Sequence, residues 1–209
     1  PTSTSRVVFD DSCSTNCSPT ISADVSVQAV RMAATYSGTL AQGAFNFTVA
    51  SPSGDGSTGF AQLAGTFTGS ADGAKVLFFN QAFATIAGGV FTAPVGTLTA
   101  YSDWTILNSP AVTFPSGSTL NLQCTGSNYC YSRTIYITLG SVSYQNVNFN
   151  GRRTTYNLKS GTMTVLGNMQ VGDTSLVRSI NSGTINLGGD LTVMNTLGIS
   201  QQQVPPQGV

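Results

Sequence analysis

Short runs in which apolar residues alternate with small polar ones recur along the chain: Val25-Ser26-Val27, Phe45-Asn46-Phe47-Thr48-Val49, Gly65-Thr66-Phe67-Thr68, Thr134-Ile135-Tyr136-Ile137-Thr138-Leu139 and Thr162-Met163-Thr164-Val165. A period of two places alternate side chains on opposite faces of an extended backbone, so each run predicts a half-buried strand. Thr, Val, Phe, Tyr and Ile suit a pleated surface, and the sequence lacks the Glu and has few of the Lys and Arg residues that line the wet side of helices. The expected fold is therefore all-β. Ser22 to Tyr36 is the one segment that also reads as a helix, with Ser22 as cap and Val27, Val30 and Ala34 on one face, yet Val25, Val27 and Ala29 alternate too. Both readings stay open for it.

Turn chemistry separates the runs: Ser53-Gly54-Asp55-Gly56, Asp72-Gly73, Gly88-Gly89, Ser116-Gly117, Asn150-Gly151 and Gly188-Gly189-Asp190. Asp-Gly and Asn-Gly accept the positive φ of tight hairpins, which favours antiparallel neighbours. At Gly140 the apolar phase switches from Ile135, Ile137 and Leu139 to Val142 and Tyr144, which predicts a bulge or a bend.

The chain also echoes itself. Ser160 to Val171 aligns with Ser182 to Val193 at an offset of 22, with five identities and three apolar matches, and weaker copies of Gly-x-apolar-x-apolar begin at Gly43, Gly96, Gly140 and Gly161. Two strands plus a turn give such a period, and so does one coil of a parallel β-solenoid. Asn181 to Val193 is similar to the repeats of β-helical bacterial adhesins; the likeness is confined to that segment and carries no function with it. The hairpin-like turns favour an antiparallel two-sheet β-sandwich of jelly-roll type. A parallel β-solenoid with a period of about 22 residues is the alternative.

Composition narrows the function. Of 209 residues only 8% are charged, with eight Asp, two Lys and six Arg, no Glu and no His, and the surface must be wetted by 25 Ser and 28 Thr. Zero net charge with few bases offers nothing to nucleic acid or anionic lipid. Without His the commonest general base and zinc ligand are missing, and the eight Asp are scattered in turn-like contexts rather than in calcium-loop or paired-carboxylate spacing. No enzymatic activity and no cofactor are expected. The longest charge-free stretches, Val76 to Ser102 and Trp104 to Ser132, are broken by Gly, Pro, Thr and Asn, so no membrane span is expected. No leader peptide is visible ahead of the polar start at Pro1, as expected of a processed product.

Four cysteines in two local pairs predict disulfides Cys13 to Cys17 and Cys124 to Cys130, a four-thiolate metal site being the alternative, and the even count points to an extracellular or cell-surface location. Asn16 and Asn46 sit in N-glycosylation triplets, so glycans are candidate partners. Trp104 with Tyr101, Tyr129, Tyr131, Tyr136 and Tyr144 would form a sugar-stacking platform if they shared an exposed face. The organisation read from these features is an N-terminal extension with a Cys loop over 1–18, one all-β domain over 19–200, and a Gln/Pro tail over 201–209. The run Val76-Leu77-Phe78-Phe79-Asn80-Gln81-Ala82-Phe83 has apolar residues on both faces and must be covered by a second sheet or another subunit. The expected function is thus an extracellular structural protein, a repeating homopolymer subunit of a filament, pilus-like fibre or surface layer. A surface adhesin or carbohydrate-binding module and a virion capsid or decoration protein are the alternatives. Arg6, Val7, Val8 and Phe9 are the candidate strand donated to a neighbouring copy.

Overall fold

The computed structural model describes residues 1–12, 17–50, 58–107, 110–124, 133–151, 153–172 and 177–194. β1 (Arg6–Phe9) leads to β2 (Val25–Val27) and β3 (Ala29–Met32), followed by β4 (Thr39–Ala41), β5 (Phe47–Ala50) and β6 (Thr58–Gln62). The middle of the chain holds β7 (Thr66–Thr68), β8 (Val76–Asn80), β9 (Phe83–Ile86), β10 (Val90–Thr92), β11 (Thr97–Ala100), β12 (Trp104–Ile106) and β13 (Ala111–Thr113). Then come β14 (Thr119–Cys124), β15 (Thr134–Thr138), β16 (Ser143–Tyr144), β17 (Asn146–Gly151), β18 (Thr154–Val165), β19 (Met169–Val171), β20 (Val177–Leu187) and β21 (Leu191–Val193). No described residue is helical, and the Ser22 to Tyr36 segment resolves into β2 and β3.

The strands stack as three parallel sheets wound into a β-solenoid of about seven coils. Sheet I runs β1-β3-β6-β9-β12-β15-β18-β16 with β20 also on β18; sheet II is β13-β10-β7-β4; sheet III is β2-β5-β8-β11-β14-β17-β19-β21. The antiparallel sandwich expectation is corrected to the parallel alternative. Alternation within three to five residues looks the same in either pairing, and the Gly-containing turns that suggested hairpins are corners, where the chain steps onto the next face instead of reversing. At Asp72-Gly73 the Asp72 carboxylate accepts the Ala74 N–H at 2.9 Å, and Lys75 N–H closes onto the Asp72 carbonyl at 3.0 Å, turning sheet II into sheet III. Gly88-Gly89 links β9 to β10, and Gly188-Gly189-Asp190 links β20 to β21. Asn150-Gly151 is not a turn: both residues belong to β17. Ser53 to Gly56 lies outside the described residues.

The period is the coil. Val25 pairs with Phe47, Thr97 with Thr119, Val147 with Met169 and Met169 with Leu191, each 22 residues on. The echo between Ser160 and Val193 is this stacking in sequence form, Gly161 on Gly183, Met163 on Ile185 and Val165 on Leu187. Two coils are longer, Phe47 pairing with Leu77 and Thr119 with Asn146.

Stacking in register makes columns. On sheet III one inward column reads Val25, Phe47, Leu77, Leu98, Leu120, Val147, Met169, Leu191, and a second reads Val27, Val49, Phe79, Ala100, Leu122, Phe149, Val171, Val193. The outward column between them is uncharged: Ser26, Thr48, Phe78, Thr99, Asn121, Asn148, Gln170 and Thr192. Aromatic rings fill the middle of the core. Phe67 stacks on Phe91 with centroids 5.1 Å apart, and Trp104, fully buried, packs edge-on to Phe91 at 6.1 Å and to Phe114 at 6.3 Å. Its indole N–H donates to the Tyr144 hydroxyl at 3.3 Å, and burial raises the Tyr144 phenol far above its ordinary pKa.

The run Val76 to Phe83 shows why one period misled. It wraps a corner: Leu77 and Phe79 point inward from β8, Gln81 takes φ 57, and Phe83 begins β9 on another sheet. Phe78, on the outside, is covered by Tyr101 edge-on at 4.7 Å. Gly140, with φ 57, is the predicted bend, placed between β15 and β16 so that Ile135, Ile137, Leu139, Val142 and Tyr144 all reach the core. The corner at Gly89 is equally constrained, with φ +74 and a Cβ position 2.1 Å from the Gly65 carbonyl oxygen. Gly89→Ala is therefore expected to cost about 1–3 kcal/mol, read as a lowered denaturant midpoint at unchanged m-value.

Candidate functional site

Most aromatic residues singled out in the sequence lie apart from any exposed platform. Trp104 and Tyr144 are core, Tyr101 packs on Phe78, and Tyr129 and Tyr131 lie outside the described residues. Among the described ones Tyr136, 40% exposed on sheet I, is the most open, and the Lys159 ammonium sits 4.0 Å from its ring centroid. Around it is a charged cluster that sequence reading missed, because its members are spread from Phe83 to Lys159 and only parallel stacking gathers them. Arg133 donates to Ser102 Oγ at 3.1 Å and lies over the Phe83 ring at 5.8 Å, while the Asp103 carboxylate accepts the Tyr136 N–H at 3.0 Å.

Burial raises the Asp103 pKa, against the Tyr136 N–H and the Arg133 and Lys159 charges, which lower it. A carboxyl whose folded pKa is raised holds its proton more tightly when folded. It contributes stability below the ordinary carboxylate range, and that contribution is lost as pH rises through its folded pKa. Asp103→Asn keeps an oxygen for the Tyr136 N–H and removes the half-buried charge, so its melting temperature is expected to exceed the parent's at neutral pH and to match it near pH 3. An equal difference at both pH values would contradict this assignment.

Among the described residues no group of three or more His, Cys, Asp or Glu is placed to hold a metal, and no helix is long and apolar enough to cross a membrane. None of the described cysteines is a free thiol. Cys13 and Cys130 lie outside the described residues, so the pairings Cys13 to Cys17 and Cys124 to Cys130 stay expectations; Asn16 lies outside them too. Arg6-Val7-Val8-Phe9 forms β1, which pairs in parallel with β3 of its own chain, Val7 and Phe9 packing on the core and Val8 turned out, 57% exposed. The Gln201 to Val209 tail is not among the described residues.

Asn46 belongs to a corner ladder, the second feature invisible in the linear sequence. Just before the sheet III strand, Asp24 accepts the Asn46 N–H at 2.8 Å and its side-chain amide at 2.9 Å. Asn46 in turn accepts the Val76 N–H at 3.0 Å, Asn146 accepts the Asn168 N–H at 3.0 Å, and Asn168 accepts the Asp190 N–H at 2.9 Å. The contacts form two runs, Asp24 to Val76 and Asn146 to Asp190, and in each a side-chain oxygen accepts the backbone N–H one coil later. The hydrogen bonds from Asn46 hold the Asp24 carboxyl below its ordinary pKa. A sugar on Asn46 would compete with the amide contact to Asp24.

The two ends of the solenoid complete the picture. At the first coil an apolar cavity of about 420 Å³ opens among Val7, Phe9, Ile21, Val25, Val30 and Phe47. At the last described coil the inward columns reach Leu191 and Val193, 50% and 49% exposed, with Met194 beside them at 43%. These two apolar faces, joined by a body with few charges, are the molecule's candidate working surfaces. No family model, curated protein or solved structure matches this chain.

Proposed function

We propose that this chain is a non-enzymatic extracellular structural protein, a repeating subunit of a filament, pilus-like fibre or surface layer in which copies join by strand addition. The observation that carries the reading is a pair of apolar faces: both inward columns of sheet III reach the last described coil with half-exposed residues, an apolar cavity opens at the first described coil, and stacking against another copy would cover both. The uncharged lateral column, of Ser, Thr, Asn and Gln apart from Phe78, supports it from another side, since a surface with few ion pairs is little affected by salt. The paired cysteines and Ser/Thr-rich composition favour an extracellular setting.

Negative-stain microscopy of the purified chain across a concentration series tests this. Filaments or sheets are expected. Monodisperse single particles at every concentration would overturn the reading.

A further inference from the structure

Resting on the proposal that copies assemble, we infer that they stack head to tail, the last described coil of one copy on the first described coil of the next, with Asp190 continuing the corner ladder onto the Asp24 N–H. The occupant of each end is thus a second copy of this chain.

Three observations converge on it. First, the rungs are in phase. Sheet I begins with β1 and ends with β20, and sheet III begins with β2 and ends with β21, so the two starting strands of one copy are the next rungs required by the two final strands of another. Pairing them repeats the parallel step, about 4.8 Å per rung, that each coil makes on its neighbour. Second, the apolar columns match end to end: Leu191 and Val193 occupy the positions that Val25 and Val27 begin, and the cavity bordered by Val25 and Phe47 lies at the other end. Third, the ladder has a direction. Each side-chain oxygen accepts from the following coil, so the Asp190 carboxylate is the acceptor presented at the last coil, and the first coil presents the backbone of Asp24. Tail against tail would set acceptor against acceptor. The contact is heterologous and does not close, the geometry that generates fibres.

The same register brings one unfavourable feature. Within the chain the residue after Asp24 in the ladder is Asn46, whose amide donates back to the carboxylate. Across the junction Asp190 meets Asp24 instead, two carboxylates one rung apart with no amide between them. Asp24→Asn would supply that amide and remove one charge, and it is expected to tighten self-association about five-fold, the scale of one like-charge contact in a wet setting.

Sedimentation velocity of the full chain over a concentration series, with three variants, decides the matter. The parent should show concentration-dependent growth. Leu191→Lys with Val193→Lys, which charges the end of both columns, should reduce association at least a hundred-fold while keeping the parent's β-type circular dichroism. Thr192→Lys, on the outward side of the same strand, should leave association unchanged and so controls for added charge and for folding. Growth that persists in the Leu191→Lys, Val193→Lys variant overturns head-to-tail stacking and leaves assembly by another surface standing. A parent that stays monomeric overturns both proposals. If Asp24→Asn associates no more tightly than the parent, the ladder register is wrong.

Discussion

Trp104→Ala is expected to lower the unfolding free energy by about 3–5 kcal/mol, the range for deleting a large buried aromatic. Trp104 is fully buried halfway along the solenoid, and its ring bridges Phe79 at 6.3 Å, Phe91 and Phe114. The surrounding rungs are tied by backbone hydrogen bonds above and below, so the cavity cannot collapse without breaking a ladder, which places the cost toward the upper end. Losing the indole also takes a donor from the buried Tyr144 hydroxyl. Trp104→Phe separates the two contributions: it keeps most of the ring packing, forfeits the N–H, and should cost about 1–3 kcal/mol. Position matters in a structure whose coils touch only their neighbours. Val193→Ala, at the end of its column and half exposed, should cost under about 1 kcal/mol by the same transfer arithmetic. Urea denaturation of the three variants checks the order, and a Val193→Ala loss equal to that of Trp104→Ala would contradict the packing gradient.

The second large effect is expected at Gln42. This side chain is fully buried at the corner after β4, where its amide nitrogen donates to the Phe45 carbonyl at 2.9 Å and to the Val76 carbonyl at 3.0 Å, and its oxygen accepts the Ser70 N–H at 3.2 Å. It thereby satisfies backbone groups that the turn removes from the sheet ladders, on its own coil and on the next. Gln62 does the same one corner type earlier, donating to the Gly65 carbonyl at 3.2 Å and the Val90 carbonyl at 2.8 Å. Gln42→Leu fills the same volume and takes the partner from the buried Ser70 N–H and from the part-buried Phe45 and Val76 carbonyls; at about 1–3 kcal/mol for a buried group left unpaired and less for the other two, a loss of about 2–4 kcal/mol is expected. Gln42→Glu sharpens the test. An ionised carboxylate there would face two carbonyl oxygens and can donate to neither, whereas its protonated form can donate to one. Its deficit should therefore be largest at neutral pH and shrink as pH falls toward the carboxylate range, while the Gln42→Leu deficit should not show that recovery.

Much of this molecule was present in the linear order of residues. Alternation in Phe45 to Val49 or Thr134 to Leu139 marks a strand because side chains on an extended backbone must point to opposite sides, whatever the neighbouring strand does. The offset of 22 between Gly161 and Gly183 was legible for a related reason: a coil must return to the same face after a set length, so residues stacked in space are equally spaced in sequence. The bend at Gly140 could be read from the shift in apolar phase, since a chain keeping its inward residues inward around a corner must change phase.

Parallel pairing was decided only by the tertiary structure. A turn such as Asp72-Gly73 supplies a local change of direction, and whether that change folds the strand back on itself or carries it onto a neighbouring sheet depends on the stacking of whole coils, where main-chain hydrogen bonds between residues 22 apart outweigh the local preference for a hairpin. The corner ladders from Asp24 to Val76 and from Asn146 to Asp190 and the cluster of Asp103, Arg133, Tyr136 and Lys159 were hidden for the same reason. Their members carry no shared motif, because no residue in either set meets another until the coils are wound. The sequence by itself determined the strands and their period; the winding determined which side chains share a face, because contact in a solenoid follows the coil and not the chain.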